Sequence, residues 1–228
     1  MVTSKKYIIY RQFYTPFLTK GNSYPLHVVR RGRKAPILLV CDHASNAVPI
    51  ALDRLGISQK SLQSHIAYDI GAARVAGRLS QILDAPLIFA GYSRLVIDLN
   101  RPLRNPESIL EKSDGVIIPG NQNLNDAEKG RRINTIFRPY HKAVGRCLNN
   151  LWKSGRPPVL LSIHSFSPFF GKTPRPWDVG VLWNHDTRIA LPLIELLEAK
   201  GATTSRILDE IRLTPSIYMR APRDWLIA

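Results

Sequence analysis

Cysteine is nearly absent from this chain, with Cys41 and Cys147 the only two among 228 residues. A disulfide-stapled secreted scaffold is thereby excluded, and a reduced, cytoplasmic protein is the simplest expectation. Near the N-terminus there is no apolar stretch of signal-peptide or membrane-spanning character, so no membrane partner is expected. Acidic residues are also scarce: 17 against 32 Lys and Arg, for a formal net charge of +15. Such a balance admits nucleic acid, anionic membranes or small acidic substrates as partners. Aromatic residues, at 8%, are not interleaved with the basic ones as a stacking platform for nucleic acid requires. The two dense basic clusters, Arg30 to Lys34 and Lys129 to Arg132, read as solvated surface, and no nucleic-acid partner is expected.

What is present is enough apolar material for one domain with a core of its own: 44% hydrophobic and 21% charged residues. Two apolar runs stop abruptly in polar chemistry. Pro36 to Val40 leads into Cys41-Asp42-His43-Ala44-Ser45-Asn46, and Pro158 to Ile163 leads into His164. Continuous apolar runs read as buried parallel strands, and ligands in such sheets gather beyond the strand ends. Cys41, at the end of its run, reads as a packed thiol rather than a nucleophile.

Ser58 is placed to cap a helix whose apolar positions run from Leu62 to Leu79, predicting one helix to about Leu83. Pro86 to Ala90 and Leu95 to Leu99 read as two short strands separated by the turn residues Gly91-Tyr92-Ser93. Leu103 to Leu124 reads as a long, mobile surface loop. Asn125 and Glu128 have capping-box spacing before an apolar face running from Ile133 to Leu151, with Pro139 expected to kink the helix or reset its start. A strand over Val179 to Trp183 and a helix over Thr187 to Lys200 follow. This alternation predicts an α/β domain with a mixed, mostly parallel sheet flanked by helices on both faces.

Two constellations carry chemistry. His43, Asn46 and His164 could meet at one metal ion, zinc or another divalent cation, with Asp42 or Asp69 completing the shell or orienting a histidine. The alternative is that each histidine only caps its strand. Asp42 and Asp69 are the catalytic candidates. Asp69 lies among apolar helical positions, and a buried carboxylate needs a partner; His65, four residues earlier, reads as its surface pair. Arg94, Asp98, Asn100 and Arg101 form the second constellation. Strand alternation would set the first three on one face, where arginine forks and an amide can hold a carboxylate. A purely structural Arg94–Asp98 pair is the competing reading. His27, His141 and His185 have no comparable company and are assigned no role.

The motifs Cys41-Asp-His-Ala-Ser-Asn46, His65-Ile-Ala-Tyr-Asp-Ile-Gly71, Ser93-Arg-Leu-Val-Ile-Asp-Leu-Asn-Arg-Pro102 and Ile163-His-Ser-Phe166 occur in that order. Together they resemble the N-formylglutamate amidohydrolase family over about residues 36 to 201. The resemblance implies a fold of the zinc carboxypeptidase and aspartoacylase type, with zinc as cofactor. His43 and His164 then take histidine ligand places and Asn46 the place of a glutamate. It further implies hydrolysis of an N-acylated acidic amino acid, N-formyl-L-glutamate to formate and glutamate, with Arg94, Asn100 and Arg101 holding carboxylates. The family pattern expects a general base in a Glu-Ile-Arg-Asn-Asp-like segment near the C-terminus, whereas here Glu210-Ile211-Arg212 comes early and without its sequel. The expected organisation is a basic lead-in over 1–35, the amidohydrolase-like domain over 36–201, and an atypical tail over 202–228 that reads as truncated or frame-shifted. A non-catalytic carboxylate-binding relative is the alternative function. The oligomeric state is left open.

Overall fold

The structure, a computed structural model, describes residues 24–29, 35–155, 157–170, 173–183, 186–208 and 216–220. The basic cluster Arg30 to Lys34, His185 and the Glu210-Ile211-Arg212 segment lie outside the described residues.

A seven-stranded sheet organises the chain. Its strands are β1 (Leu26–Val29), β2 (Ile37–Cys41), β3 (Leu87–Ala90), β6 (Val159–Phe166), β9 (Val179–Trp183), β10 (Thr204–Leu208) and β11 (Ser216–Arg220), in the spatial order β1-β3-β2-β6-β11-β9-β10. The small hairpins β4 (Lys112–Ser113) with β5 (Val116–Ile117), and β7 (Phe169–Phe170) with β8 (Thr173–Pro174), stand apart from it. Pairing is parallel between β3 and β2, β2 and β6, β6 and β11, and β9 and β10; it is antiparallel between β1 and β3 and between β11 and β9. The mixed, mostly parallel α/β sheet expected from the sequence is therefore present, with β1 as an edge strand.

Alternation along β2 divides the core. Leu38 and Val40 join the cluster containing Tyr140, Val144 and Leu151 of α4 (Arg138–Trp152), whereas Leu39 and Cys41 pack with Ala72 and Ala76 of α2 (Ala72–Leu83). Both faces of a parallel sheet are thus covered. A third, smaller cluster joins Val181 of β9 to Ala190 and Ile194 of α5 (Ala190–Ala199). Asn125 and Glu128 form the predicted capping box on α3 (Asp126–Arg132). From there the chain passes through a π-helical turn, Ile133–Phe137, into α4, where Pro139 occupies the first turn and its missing N–H is harmless.

Four expectations are overturned. The helix predicted from Ser58 to Leu83 is broken: α1 spans only Gln59–Leu62, and α2 starts after Gly71, whose φ of 84° belongs to the left-handed region. Ser58 does cap the first piece, accepting from the Ser61 N–H. Leu95 to Leu99 is not a strand, because its backbone is bonded elsewhere. Arg132 Nη1 donates to Val96 O, Asn121 Nδ2 to Leu95 O, and the Asp98 N–H to Ser108 O. By the same bonds the segment Leu103 to Leu124 is joined to the core, with Ile118 and Asn121 buried, and is not purely a surface loop. Arg132, expected on the surface, is 2% exposed. Burial pulls its guanidinium pKa down to about 10, against the opposing charge of Glu128. Among the described residues no helix is long and apolar enough to cross a membrane.

Candidate metal centre

Parallel register builds the centre. Val40 of β2 lies opposite Ser162 of β6, so two residues further on Asp42 reaches His164, with Asp42 Oδ2 3.4 Å from His164 Nε2. His164 therefore lies inside β6, two residues before its end, and not beyond it as the apolar run suggested. His43 follows β2 directly, and its carbonyl accepts the Asp69 N–H at 2.9 Å, which fastens the break between α1 and α2 against the strand end. That break is what turns Asp69 inward.

Two imidazoles meet one carboxylate oxygen. Asp69 Oδ2 is 2.7 Å from His164 Nδ1 and 3.5 Å from His43 Nδ1, and the two rings stand edge to face with centroids 4.9 Å apart. All three residues are buried, and their candidate ligand atoms lie within 4.8 Å of one another. Each imidazole is backed on its far nitrogen. His43 Nε2 donates to Asp98 Oδ1 at 2.8 Å, which leaves Nδ1 as a buried ring nitrogen without a hydrogen-bond partner. His164 Nε2 has Ser162 Oγ at 3.0 Å and Asn100 Nδ2 at 3.2 Å. Ser162 and the Tyr140 hydroxyl donate to the two oxygens of Asp42, each at 2.6 Å.

Charge follows geometry. Arg94 Nη2 lies 3.2 Å from Asp98 Oδ2 and Nη1 3.6 Å from Asp69 Oδ1. Burial opposes ionisation of Asp98, but His43 and Arg94 outweigh it and hold the carboxyl well below its usual range. Burial likewise opposes the charge on Asp69 and Asp42; His43 and His164 overcome it for the first, and His164, Ser162 and Tyr140 for the second. For His43, burial and Arg94 favour the neutral ring, yet Asp98 and Asp69 prevail and raise its pKa. Cys41 is packed: burial first, then Asp69 and Asp42, push its thiol well up, which makes it a poor nucleophile.

The structure thus joins Asp42, His43, Asp69, Asp98, Asn100 and His164, with Arg94 at the partly exposed edge. Arg94 and Asp98 do pair, and Asn100 meets the site through His164, although no strand alternation arranges them. Two expected participants stand aside. Asn46 is half-buried in the loop after β2 and makes no hydrogen bond to this set among the described residues, while Arg101 Nη2 faces Glu107 Oε2 at 3.1 Å. His65 pairs with Asp114, not with Asp69. His141, given no role from sequence, lies 3.0 Å from Leu99 O, beside Asn100. Ser162 and Tyr140 went unnoticed in the sequence. A polar residue two places before His164 in an otherwise apolar strand was the signal, since both occupy one face.

Ser162, His164 and Asp69 also stand in the order of nucleophile, base and orienting acid. Ser162 is wholly buried and its proton is committed to Asp42, so it supports the histidine and attacks nothing.

Known proteins place the chain. No curated protein sequence matches it. A crystal structure of a gene product from Agrobacterium tumefaciens is similar with a TM-score of 0.84 at 30% identity, over 93% of this chain and 90% of that one. The crystal structure of N-formylglutamate amidohydrolase from Ralstonia eutropha shares the fold, with a TM-score of 0.67 at 21% identity over 86% and 85% of the two chains. The sequence profile of N-formylglutamate amidohydrolase matches residues 35–207, a span that holds every residue of the centre, and the chain belongs to that family.

Proposed function

We propose that the protein is a metal-dependent amidohydrolase that cleaves an N-acylated acidic amino acid of the N-formyl-L-glutamate kind, releasing formate and the amino acid. The observation that carries the metal is the buried, unpartnered His43 Nδ1 aimed at Asp69 and His164. His43, Asp69 and His164 would hold the ion, and the family analogy adds the Asn46 amide as a further candidate ligand. Charge supports the same reading. Asp69 and Asp98 face the guanidinium of Arg94 while Asp42 faces His164, and a divalent cation offsets the remaining negative charge. In its absence a proton on His43 does part of the same work, which is why the pKa of that ring is raised. Nitrogen and carboxylate donors suit zinc, and kinship with zinc carboxypeptidases belongs to the same proposal, as does a cytoplasmic location, for which the free Cys41 and Cys147 speak.

A divalent ion bound there would supply polarisation of the scissile carbonyl and acidification of a water. The chain's own residues do the rest. Asp98 keeps the proton on His43 Nε2 and so fixes which nitrogen faces the centre. Arg94, with a side chain 22% exposed, presents its guanidinium at the rim, where a substrate carboxylate can reach it. Arg101 can join it by exchanging Glu107, since that partner is 54% exposed and an ion pair so close to water is cheap to break. Of the two residues anticipated as catalytic, Asp42 acts in this scheme through His164 and Asp69 as a ligand of the ion.

Purified protein should contain stoichiometric metal and release formate from N-formyl-L-glutamate in a chelator-sensitive way. Metal-free protein, reconstituted with zinc and still inert toward that substrate, would sink the hydrolytic reading. The second reading is a non-catalytic carboxylate-binding protein. It is favoured by one observation: each carboxylate of the centre is already engaged by hydrogen-bonding partners among the described residues, leaving none plainly free as a general base. Calorimetry showing glutamate binding to zinc-loaded protein without turnover would select it.

A further inference from the structure

We propose that Arg132, acting with Asn121, is a positioning residue for Arg94: it clamps the buried irregular segment from which that rim guanidinium extends. The inference rests on the functional reading above, in which Arg94 receives a substrate carboxylate, and concerns what sets Arg94 in place to do so.

Leu95, Val96, Ile97 and Leu99 are buried, yet their segment belongs to no sheet, so its peptide groups find partners one at a time. Ser93 is the first anchor: its N–H donates to Ala47 O at 2.8 Å and its hydroxyl to Ala67 O at 2.7 Å. At the other end the Asp98 N–H donates to Ser108 O at 2.8 Å, and His141 Nε2 lies 3.0 Å from Leu99 O. Between these anchors one pair of side chains takes two successive carbonyls. Asn121 Nδ2 donates to Leu95 O at 2.8 Å and Arg132 Nη1 to Val96 O at 2.9 Å. Arg94 stands between Ser93 and Leu95, so the anchor before it and the clamp after it fix where its side chain begins. Its ion pairs with Asp69 and Asp98 then aim the guanidinium.

The clamp is stiff. Arg132 Nη1 also donates to Asn121 Oδ1 at 2.6 Å and Nη2 to Gly120 O at 2.7 Å, while Asn121 Nδ2 donates to Leu110 O at 2.6 Å. One planar fork thus ties the Val96 carbonyl to the turn Pro119–Asn121, and the amide it grips holds the Leu95 carbonyl beside it. Gly120 is pressed against Leu55, where an added Cβ would come within 2.8 Å of Leu55 Cα, so that turn has little room to shift. Among the described residues every hydrogen bond of Arg132 goes to a neutral oxygen. A buried cation without a bonded carboxylate is costly to desolvate, and what it contributes here is a fixed set of donors. His43, Asp69 and His164 hang instead from the end of β2, the break before α2 and β6, and Asp98 has its own tie to Ser108, so the clamp bears first on Arg94.

Arg132→Lys keeps the charge but replaces the fork with a single ammonium, and Asn121→Ala removes the donor to Leu95 O. Formate release from N-formyl-L-glutamate by the zinc-loaded full chain gives KM and kcat, calorimetry gives the Kd for L-glutamate, and circular dichroism confirms folding. Both variants should raise KM and Kd together by about 10-fold, the scale on which a misplaced charge-assisted hydrogen bond is lost, with kcat lowered by less. Should Arg132→Lys fail to fold, Asn121→Ala decides by the same readouts. Folded variants that are merely less stable, with wild-type KM and Kd, would overturn the positioning role, as would a fall in kcat at unchanged KM. Wild-type protein that neither releases formate nor binds glutamate would overturn the functional reading itself, and this role with it.

Discussion

Replacing Asp98 by Asn puts the electrostatic account of the centre at risk. Asp98 accepts from His43 Nε2 at 2.8 Å and from the Asn100 N–H at 2.8 Å, and its other oxygen faces Arg94 at 3.2 Å. An amide keeps one acceptor but places N–H donors opposite the guanidinium. Removing one partner from a buried ion pair typically costs about 3–5 kcal/mol, and because Arg94 is partly exposed to water we take the lower end, about 3 kcal/mol. The pH dependence gives the sharper test. Asp98 has a depressed folded-state pKa, so its stabilisation is present above the unfolded carboxylate value of about 3.9 and is lost as pH falls through the folded value. His43 has a raised folded-state pKa, so its contribution is full below the unfolded value of about 6.5 and is lost as pH rises through the folded one. Both act together between those unfolded values. Urea unfolding of metal-free wild type and Asp98→Asn, followed from pH 4 to pH 9 in the presence of chelator, should show the largest gap near pH 5–6 and a narrower one at pH 9. A gap below about 1 kcal/mol at pH 5.5, or one that stays constant to pH 9, would refute the coupling of Asp98 to His43.

Gly91→Ala should lower stability by at least about 1–3 kcal/mol in chemical denaturation, because the new Cβ would stand 1.6 Å from the Tyr24 carbonyl oxygen and force the lead-in to β1 away. Asn125→Ala removes the side chain that accepts the Glu128 N–H and should cost about 1 kcal/mol, read as a shift in the urea midpoint with unchanged slope. Cys41 should resist alkylation in native protein, as judged by peptide mass spectrometry, and react only on unfolding. Labelling of Cys41 without unfolding, with loss of formate release, would return it to consideration as a nucleophile.

What the sequence made legible was local. The apolar run into Asp42 and His43 and the Asn125–Glu128 box each depend on a few neighbouring residues, and each was found as expected. Leu95 to Leu99 misled because an apolar run also describes a buried irregular segment, provided other residues satisfy its backbone. Arg132 and Asn121 supply those bonds from more than twenty residues away, and no window around Leu95 contains them. Asp69 was placed on a continuous helix because helical periodicity passes through Gly71 without showing that the glycine takes φ 84°. The interruption there is what brings Asp69 to two histidines, and with it a better partner than His65.

The scarcity of acid in this chain sharpens the meaning of where it is used. Three of 17 acidic residues are buried around one pair of histidines, inside a molecule whose formal charge is +15. A basic exterior does not relieve that concentration, because charges screened by solvent at the surface contribute little to a buried carboxylate, whereas Arg94 and the two imbedded rings contribute directly. The deficit must therefore be met within the centre, and His43 Nδ1 is the buried atom left open to meet it. Under the proposed function the exterior acts at longer range, as an attractive field for an anionic substrate on approach. Arg94 stands where the two meet: its guanidinium is held by Asp69 and Asp98, and under the proposed function its exposed part receives the substrate carboxylate. Under the proposed function, a guanidinium divided in this way makes substrate binding and the integrity of the buried charges depend on the same side chain.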